Sequence, residues 1–254
     1  MIYAIIIVIG LILGSFANSI IYRLPDLESI YFSRSECPKC KTKIRFWDLI
    51  PVLSYVFLRG RCRHCQEKIS WQYPAVEIVT AVIFLLVWLS FGFSVYSIFL
   101  MIFAWILIII FVHDAKTMEI PGRALIILLF LIIIWTVWEV VLYQPNIAML
   151  DDRIWAGIIG GIIWLILNLV SKGKWIGFGD FQLGFLLGFV LGLPNAVIFL
   201  FVTAIIGGIV AIILMALGKK HLKDKIALGP IMILAFFITL FLGQQLLTFY
   251  LTKI

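Results

Sequence analysis

VYSIFLMIFAWILIIIFVHD, residues 95–114, runs through eighteen residues without a charge before it reaches His113 and Asp114. An uncharged apolar stretch of that length marks a helix that crosses a bilayer. Outward from it, similar runs fill most of the chain rather than forming a single anchor. Their spacing predicts helices at 1–22, 74–92, 95–113, 124–142, 154–171, 181–193, 195–217 and 227–250, eight crossings in an all-α polytopic membrane protein. Composition points the same way. The 254 residues are 64% hydrophobic and 13% charged, with mean hydropathy +1.16, far from the roughly 45–50% apolar and about 25% charged of soluble domains. An ordinary soluble enzyme is excluded.

The net charge of +7 would suggest nucleic acid on a soluble protein. Here the basic residues cluster between apolar runs, so charge reads as topology and no nucleic-acid partner is expected. The first run has no basic residue ahead of it and its first charge is Arg23, the reverse of a secretory leader. Segment 1 is therefore expected to stay, with its N-terminus outside. That orientation puts loops 23–73, 114–123, 172–180 and 218–226 inside, carrying 10, 2, 2 and 4 of the 20 Lys and Arg and leaving only Arg153 and Lys253 outside. The positive-inside rule selects this orientation. The expected organisation is a first transmembrane helix at 1–22, a cytoplasmic insert at 23–73 and a transmembrane bundle at 74–254.

Within the helices, Gly184, Gly188 and Gly192 recur every four residues, and Gly157, Gly160 and Gly161 mark the segment before them. Such small-residue stripes are expected where helix backbones approach closely.

The insert is too short for a large core of its own. It carries Cys37-Pro38-Lys39-Cys40 and Cys62-Arg63-His64-Cys65, two C-x2-C pairs separated by 21 residues, close to the spacing of four-thiolate zinc sites. Cytoplasmic thiols stay reduced, which disfavours disulfides, and Lys39, Lys41, Arg61 and Arg63 favour thiolates. A structural zinc on Cys37, Cys40, Cys62 and Cys65 would supply the folding energy the insert lacks. Four protein ligands leave no open position for catalysis.

Two of the few remaining acids stand near glycine or proline at predicted inner helix ends: Asp114, ahead of Ile120-Pro121, and Asp180, in Gly177-Phe178-Gly179-Asp180. Residues 181–193 offer only about 20 Å of helix against a ~30 Å hydrocarbon core. Either the bilayer thins there or Asp180 sits below its surface, and carboxylates at depth are functional by default. Gly177 and Gly179 can adopt conformations closed to other residues, letting the carboxylate approach a peptide. Two meeting aspartates share one proton and can hydrolyse a peptide without metal or covalent intermediate. The structural alternatives are an N-cap of segment 6 for Asp180 and a solvated charge paired with Lys116 or Arg123 for Asp114. His64, His113 and His221 lie in unrelated loops without a serine elbow, and His113 is expected to be interfacial rather than a general base.

The ordered set of motifs resembles the type IV prepilin peptidases, membrane aspartic proteases of the GxGD class, along nearly the whole chain. Gly14-Ser15-Phe16-Ala17-Asn18 with Tyr22-Arg23-Leu24-Pro25 is similar to the family's N-terminal signature, and the C-x2-C pairs fall where many members have them. Ser54-Tyr55, Leu58-Arg59-Gly60-Arg61-Cys62 and Tyr73-Pro74-Ala75-Val76-Glu77 are similar to the stretches around the second pair and the start of the second helix. Asp114 with Ile120-Pro121, Gly177-Phe178-Gly179-Asp180 and Gly229-Pro230 resemble the remaining motifs, with Gly122 standing where an acid is expected. The resemblance implies that Asp114 and Asp180 are catalytic. It implies removal of the leader peptide of prepilins or pseudopilins at the cytoplasmic face of the bacterial inner membrane, for pilus or secretion systems. For many members it also implies methylation of the new N-terminus from S-adenosylmethionine. Proteolysis itself needs no cofactor, and membrane lipid is the other expected partner.

Two other classes compete. A cation-coupled transporter would use Asp114 and Asp180 as ion ligands near broken helices, but the aspartates are interfacial and no inverted repeat is visible. A non-enzymatic scaffold would tolerate Asp→Asn at both positions.

Overall fold

The computed structural model describes residues 1–24, 35–143, 147–218 and 226–252. Pro25, His221, Lys253 and the lysines of loop 218–226 lie outside them. Among the described residues nine α-helices follow one another: α1 Ile2–Arg23, α2 Leu53–Phe57, α3 Gln72–Phe91, α4 Val95–Thr117, α5 Gly122–Tyr143, α6 Ile147–Ser171, α7 Phe178–Leu191, α8 Asn195–Ala216 and α9 Leu228–Leu251. Seven are long and apolar enough to span a bilayer, and α7 is a shorter apolar helix. The eight predicted segments are all present, and the chain is a multi-pass membrane protein. It divides into two compact units, Met1–Ile109 and Ile110–Ile254.

In the first unit α1 packs closely on α3. A Cβ on Gly10 would stand 2.5 Å from the Ala81 Cα, and one on Gly14 would stand 2.6 Å from the Glu77 Cα, so the backbones touch where glycine removes the side chain. One turn on, the buried Asn18 donates its side-chain N–H to the Tyr73 carbonyl at 2.9 Å. Trp105 of α4 donates to the Leu13 carbonyl at 2.8 Å and stacks on Phe16. The polar contacts lock the register of helices whose surfaces are otherwise uniformly apolar.

In the second unit the predicted glycine stripes mark the α6–α7 contact. A Cβ on Gly160 would lie 2.6 Å from the Gly184 carbonyl oxygen, and one on Gly188 would lie 2.4 Å from that of Ala156. Gly192 departs from the stripe: it takes φ +67° and ends α7. Beyond it Asp152 accepts the Leu193 N–H at 3.1 Å, and the neighbouring Arg153 pairs two-fold with Glu139 of α5. Arg153, one of the two basic residues that the loop count leaves over, is thus neutralised within its own unit.

Two helix ends differ from the sequence reading, and both differences fall on the aspartates. α4 continues one turn past residue 113, because Asp114-Ala115-Lys116-Thr117 holds no breaker and the helix stops only where Met118 turns to φ +56°. Segment 6 starts at Phe178 rather than at residue 181, which places Asp180 in its first turn. α7 is still only 14 residues, about 21 Å at 1.5 Å per residue.

Candidate functional site

The two aspartates occupy equivalent surroundings in the second unit. Asp114, in the last turn of α4, is 3% exposed, and its Oδ2 accepts the Gly229 N–H at 3.0 Å. Gly229 lies in the first turn of α9, where backbone N–H groups have no helical partner. Asp180, 9% exposed, turns its Oδ2 back onto the Gly177 N–H at 2.9 Å. Each carboxylate therefore rests on a helix N-terminus, where the helix dipole favours negative charge. Neither Oδ1 has a hydrogen-bond partner among the described residues.

These contacts revise both structural alternatives. The N-cap of α7 is Gly177, with Asp180 three positions inside making the reach-back half of a capping box. Asp114 is not a solvated charge: it is buried and forms no ion pair with Lys116 or Arg123 among the described residues. Nor do the glycines supply unusual backbone angles. Gly177 has φ −75°, ψ 157°, and Gly179 is helical, both open to other residues. What Gly179 provides is space, since a Cβ there would stand 3.2 Å from the Cβ of Ile120. The same Ile120 side chain reaches within 3.5 Å of the Cβ position of Gly229. Ile120 thus fills the gap between the two glycine-lined helix ends.

Sequence reasoning did not find the role of Gly229. Gly229-Pro230 carried the family likeness, but a backbone donor 115 residues from its acceptor leaves no local signal. His113 brings its Nδ1 to 3.0 Å from the Glu119 carbonyl and 3.2 Å from the Thr117 hydroxyl. It braces the α4–α5 turn, in keeping with an interfacial residue.

The four cysteines of the first unit converge. Their sulfur atoms all lie within 4.8 Å of one another, and Cys37 Sγ to Cys65 Sγ is 3.8 Å. A zinc with bonds of about 2.3 Å and tetrahedral angles requires sulfurs roughly 3.8 Å apart, whereas a disulfide needs about 2.05 Å. The arrangement therefore suits a metal, as the spacing predicts.

Each pair sits on a tight hairpin, and the two hairpins repeat one design 25 residues apart. Cys37 N–H bonds to the Thr42 carbonyl and Lys41 N–H to that of Cys37; Cys62 N–H bonds to Glu67 and Gln66 N–H to Cys62. Lys41 and Gln66 both take positive φ, 57° and 58°. Lys39 pairs with Glu67 across the hairpins, and Arg63 grips Asp48 with two hydrogen bonds, which holds the Asp48 carboxyl below its usual range. Hydrogen bonds from Thr42 pull the Cys40 thiol down to about 6. Backbone N–H groups of Cys65 and His64 lower Cys62 as well. Against the pull of the Glu67 N–H, desolvation and the three neighbouring sulfurs push Cys65 up to about 11. A cation among the sulfurs would remove that repulsion.

The sequence matches the bacterial peptidase A24 N-terminal domain over residues 8–91 and the type IV leader peptidase family over residues 101–212. The first stretch contains all four cysteines and the second both aspartates. A prepilin leader peptidase/N-methyltransferase of Bacillus subtilis is 31% identical over 250 residues, 97% of each chain. One of Neisseria gonorrhoeae is 32% identical over 251 residues, 88% of this chain and 84% of its own. One of Stutzerimonas stutzeri is 28% identical over 273 residues, 96% of this chain and 92% of its own. No solved structure gives a significant match. With identity near one third sustained along both chains, and the aspartate pair inside the matched peptidase region, this chain belongs to the type IV leader peptidase family.

Proposed function

We propose that the chain is an aspartic endopeptidase that removes the leader of type IV prepilins or pseudopilins, with Asp114 and Asp180 as its catalytic pair. The observation that carries this reading is a pair of buried aspartates, each with Oδ2 held by a glycine N–H at a helix N-terminus, with the Ile120 side chain filling the gap between the two helix ends. Two carboxylates that meet over a substrate cannot both ionise comfortably, so the pair holds one proton between them. The ionised member takes a proton from water as the oxygen attacks the scissile carbonyl, and the protonated member donates to the carbonyl oxygen. Reversed roles then protonate the leaving amine. A helical peptide bond is hidden by its own hydrogen bonds and must open before attack, so cleavage belongs at the end of the substrate's apolar segment. We read the site as facing the cytoplasm of the bacterial inner membrane, with the N-terminus outside, a reading supported by the positive-inside rule. No observation favours the transporter.

Cys37, Cys40, Cys62 and Cys65 would hold zinc, which supplies folding energy to the 23–73 insert rather than a reacting group. The relatives' names include N-methyltransferase. On that ground we propose methylation of the new N-terminus from S-adenosylmethionine as a second activity.

The test is mass spectrometry of a prepilin-like peptide incubated in detergent with wild type, Asp114→Asn and Asp180→Asn, with and without S-adenosylmethionine. Leader loss with wild type alone supports the peptidase, and one added methyl group on the product supports the second activity. Cleavage that survives both substitutions removes the aspartates from the mechanism.

A further inference from the structure

The insert exposes six large apolar side chains close together in the chain order of the first unit: Phe46, Trp47, Leu53, Val56, Phe57 and Trp71. Phe57 is 81% exposed, Phe46 78% and Trp71 75%. Large exposed apolar side chains gathered in one short stretch of chain are a feature of surfaces that meet a partner.

A part-buried hydrogen bond ties the patch to a spanning helix. The Val52 N–H, at the start of α2, donates to Oε2 of Glu77 at 2.7 Å, and Glu77 is buried in α3 against Gly14 of α1. Trp71 caps α3, and Glu77 lies six residues further in, about 9 Å along the axis. The start of α2 is therefore tied to the first turns of a spanning helix. At that level α3 presents Ile78, Val79 and Val82 outward, each nearly half exposed, as a lipid-facing surface does.

α2 is two-sided. Leu53, Val56 and Phe57 stand at helical spacing i, i+3, i+4 and are exposed, while Tyr55 packs over Gly60 of the second cysteine hairpin. The preceding 3-10 turn, Phe46–Leu49, adds Phe46 and Trp47, edge to face at 6.0 Å. Its one acid, Asp48, is neutralised by Arg63. Lys43, Arg45 and Arg59 are exposed and make no ion pair among the described residues. Aromatic and aliphatic side chains set beside unpaired cations form the pattern of a segment lying in a membrane interface with anionic headgroups.

We propose that residues 43–59 form an interfacial anchor: the aromatic turn and the outer face of α2 sink into the leaflet on the insert side, and Lys43, Arg45 and Arg59 meet anionic lipid headgroups. The anchor holds the cysteine hairpins flat against the membrane. This inference rests on the membrane-spanning helices of the first unit and does not depend on the peptidase reading.

The test uses the full chain labelled with 5-fluorotryptophan in nanodiscs of phosphatidylcholine and phosphatidylglycerol. The Trp47 and Trp71 fluorine signals are assigned by their loss in Trp47→Phe and Trp71→Phe, substitutions that keep an aromatic ring. Lipid nitroxide at acyl carbon 5 is expected to broaden both signals several-fold more than a water-soluble gadolinium chelate does. Replacing phosphatidylglycerol by phosphatidylcholine is expected to shift Trp47 toward the chelate. Broadening of Trp47 chiefly by the chelate in the anionic discs overturns the proposal. So does protection of Trp47 that arises only when a prepilin-like peptide is added, since the patch would then be a protein-docking surface.

Discussion

Adding one methyl group at Gly229 tests whether the α9 N-terminus sets the position of Asp114. The Gly229 N–H holds Asp114 Oδ2 at 3.0 Å, and a Cβ at that residue would fall 2.6 Å from the same oxygen. Real Cβ atoms essentially never come closer than 3.0 Å, so the carboxylate or α9 must retreat by about 0.4 Å, the difference between those two distances. Retreat stretches the hydrogen bond to roughly 3.4 Å, beyond the effective range of N–H···O contacts. Hydrogen bonds to charged groups contribute about 1.5–3 kcal/mol, and each 1.36 kcal/mol is tenfold in rate, so kcat/KM for leader removal should fall roughly 10- to 150-fold. Gly177→Ala is the control. Its Cβ would stand 3.4 Å from Asp180 Oδ2, an ordinary contact, at φ −75°, and kcat/KM should stay within about threefold of wild type, a change below 1 kcal/mol. Both variants are to be assayed by mass spectrometry of peptide cleavage in detergent, with thermal unfolding monitored alongside. Wild-type kcat/KM for a folded Gly229→Ala, or equal losses in both variants, refutes the reasoning.

Asp114→Asn and Asp180→Asn should each lower turnover by about 10²–10⁴, the range for general acid–base groups, and the double variant should be little worse than either, because the pair acts as a unit. Elemental analysis should find one zinc per chain, lost in Cys62→Ser together with protection of the insert from protease. Gly184→Val should lower the melting temperature, because its Cβ meets the Gly160 carbonyl oxygen at 2.5 Å and overpacking costs about 1–3 kcal/mol. Gly208→Ala, inside α8 with nothing within 4 Å of its Cβ, should instead hold or slightly raise it, since alanine is the better helix former.

Much of this molecule is legible in its sequence because lipid imposes one simple rule: a span needs a long uncharged run. Each predicted helix is present for that reason. The ends are harder to read where polar residues continue a helix, as from Asp114 to Thr117, since polarity marks the membrane boundary and not the end of hydrogen bonding. The cysteine hairpins were visible through their spacing, whereas their common design is written in backbone bonds and two positive φ angles at the unrelated residues Lys41 and Gln66. Helix facing was least visible. Buried and lipid-exposed positions are both apolar, so only glycines at close approaches, such as Gly14, Gly160 and Gly188, reveal which side of a helix meets another. The contacts of Glu77 with Val52 and of Asp114 with Gly229 cross 25 and 115 residues and have no local signature.

The aspartate site follows from a problem that lipid sets. A carboxylate beside hydrocarbon is costly unless it is hydrogen-bonded, yet a carboxylate whose oxygens are both occupied cannot exchange protons with water and substrate. Here each aspartate satisfies one oxygen with the N–H of a glycine at a helix N-terminus and leaves the other without a partner among the described residues. The donor is backbone, so it cannot rotate away or compete for the shared proton. Glycine at 229 is demanded by the 2.6 Å approach of Asp114, and glycine at 179 eases the tight 3.2 Å approach of Ile120, while nothing steric demands it at 177. The G-x-G-D motif therefore divides into two duties: Gly179 lets α7 close on Ile120, and position 177 supplies an N–H that any residue other than proline provides. A proline at 177 should accordingly disable the site through Asp180 alone, leaving the Gly229 contact intact, whereas alanine there should not.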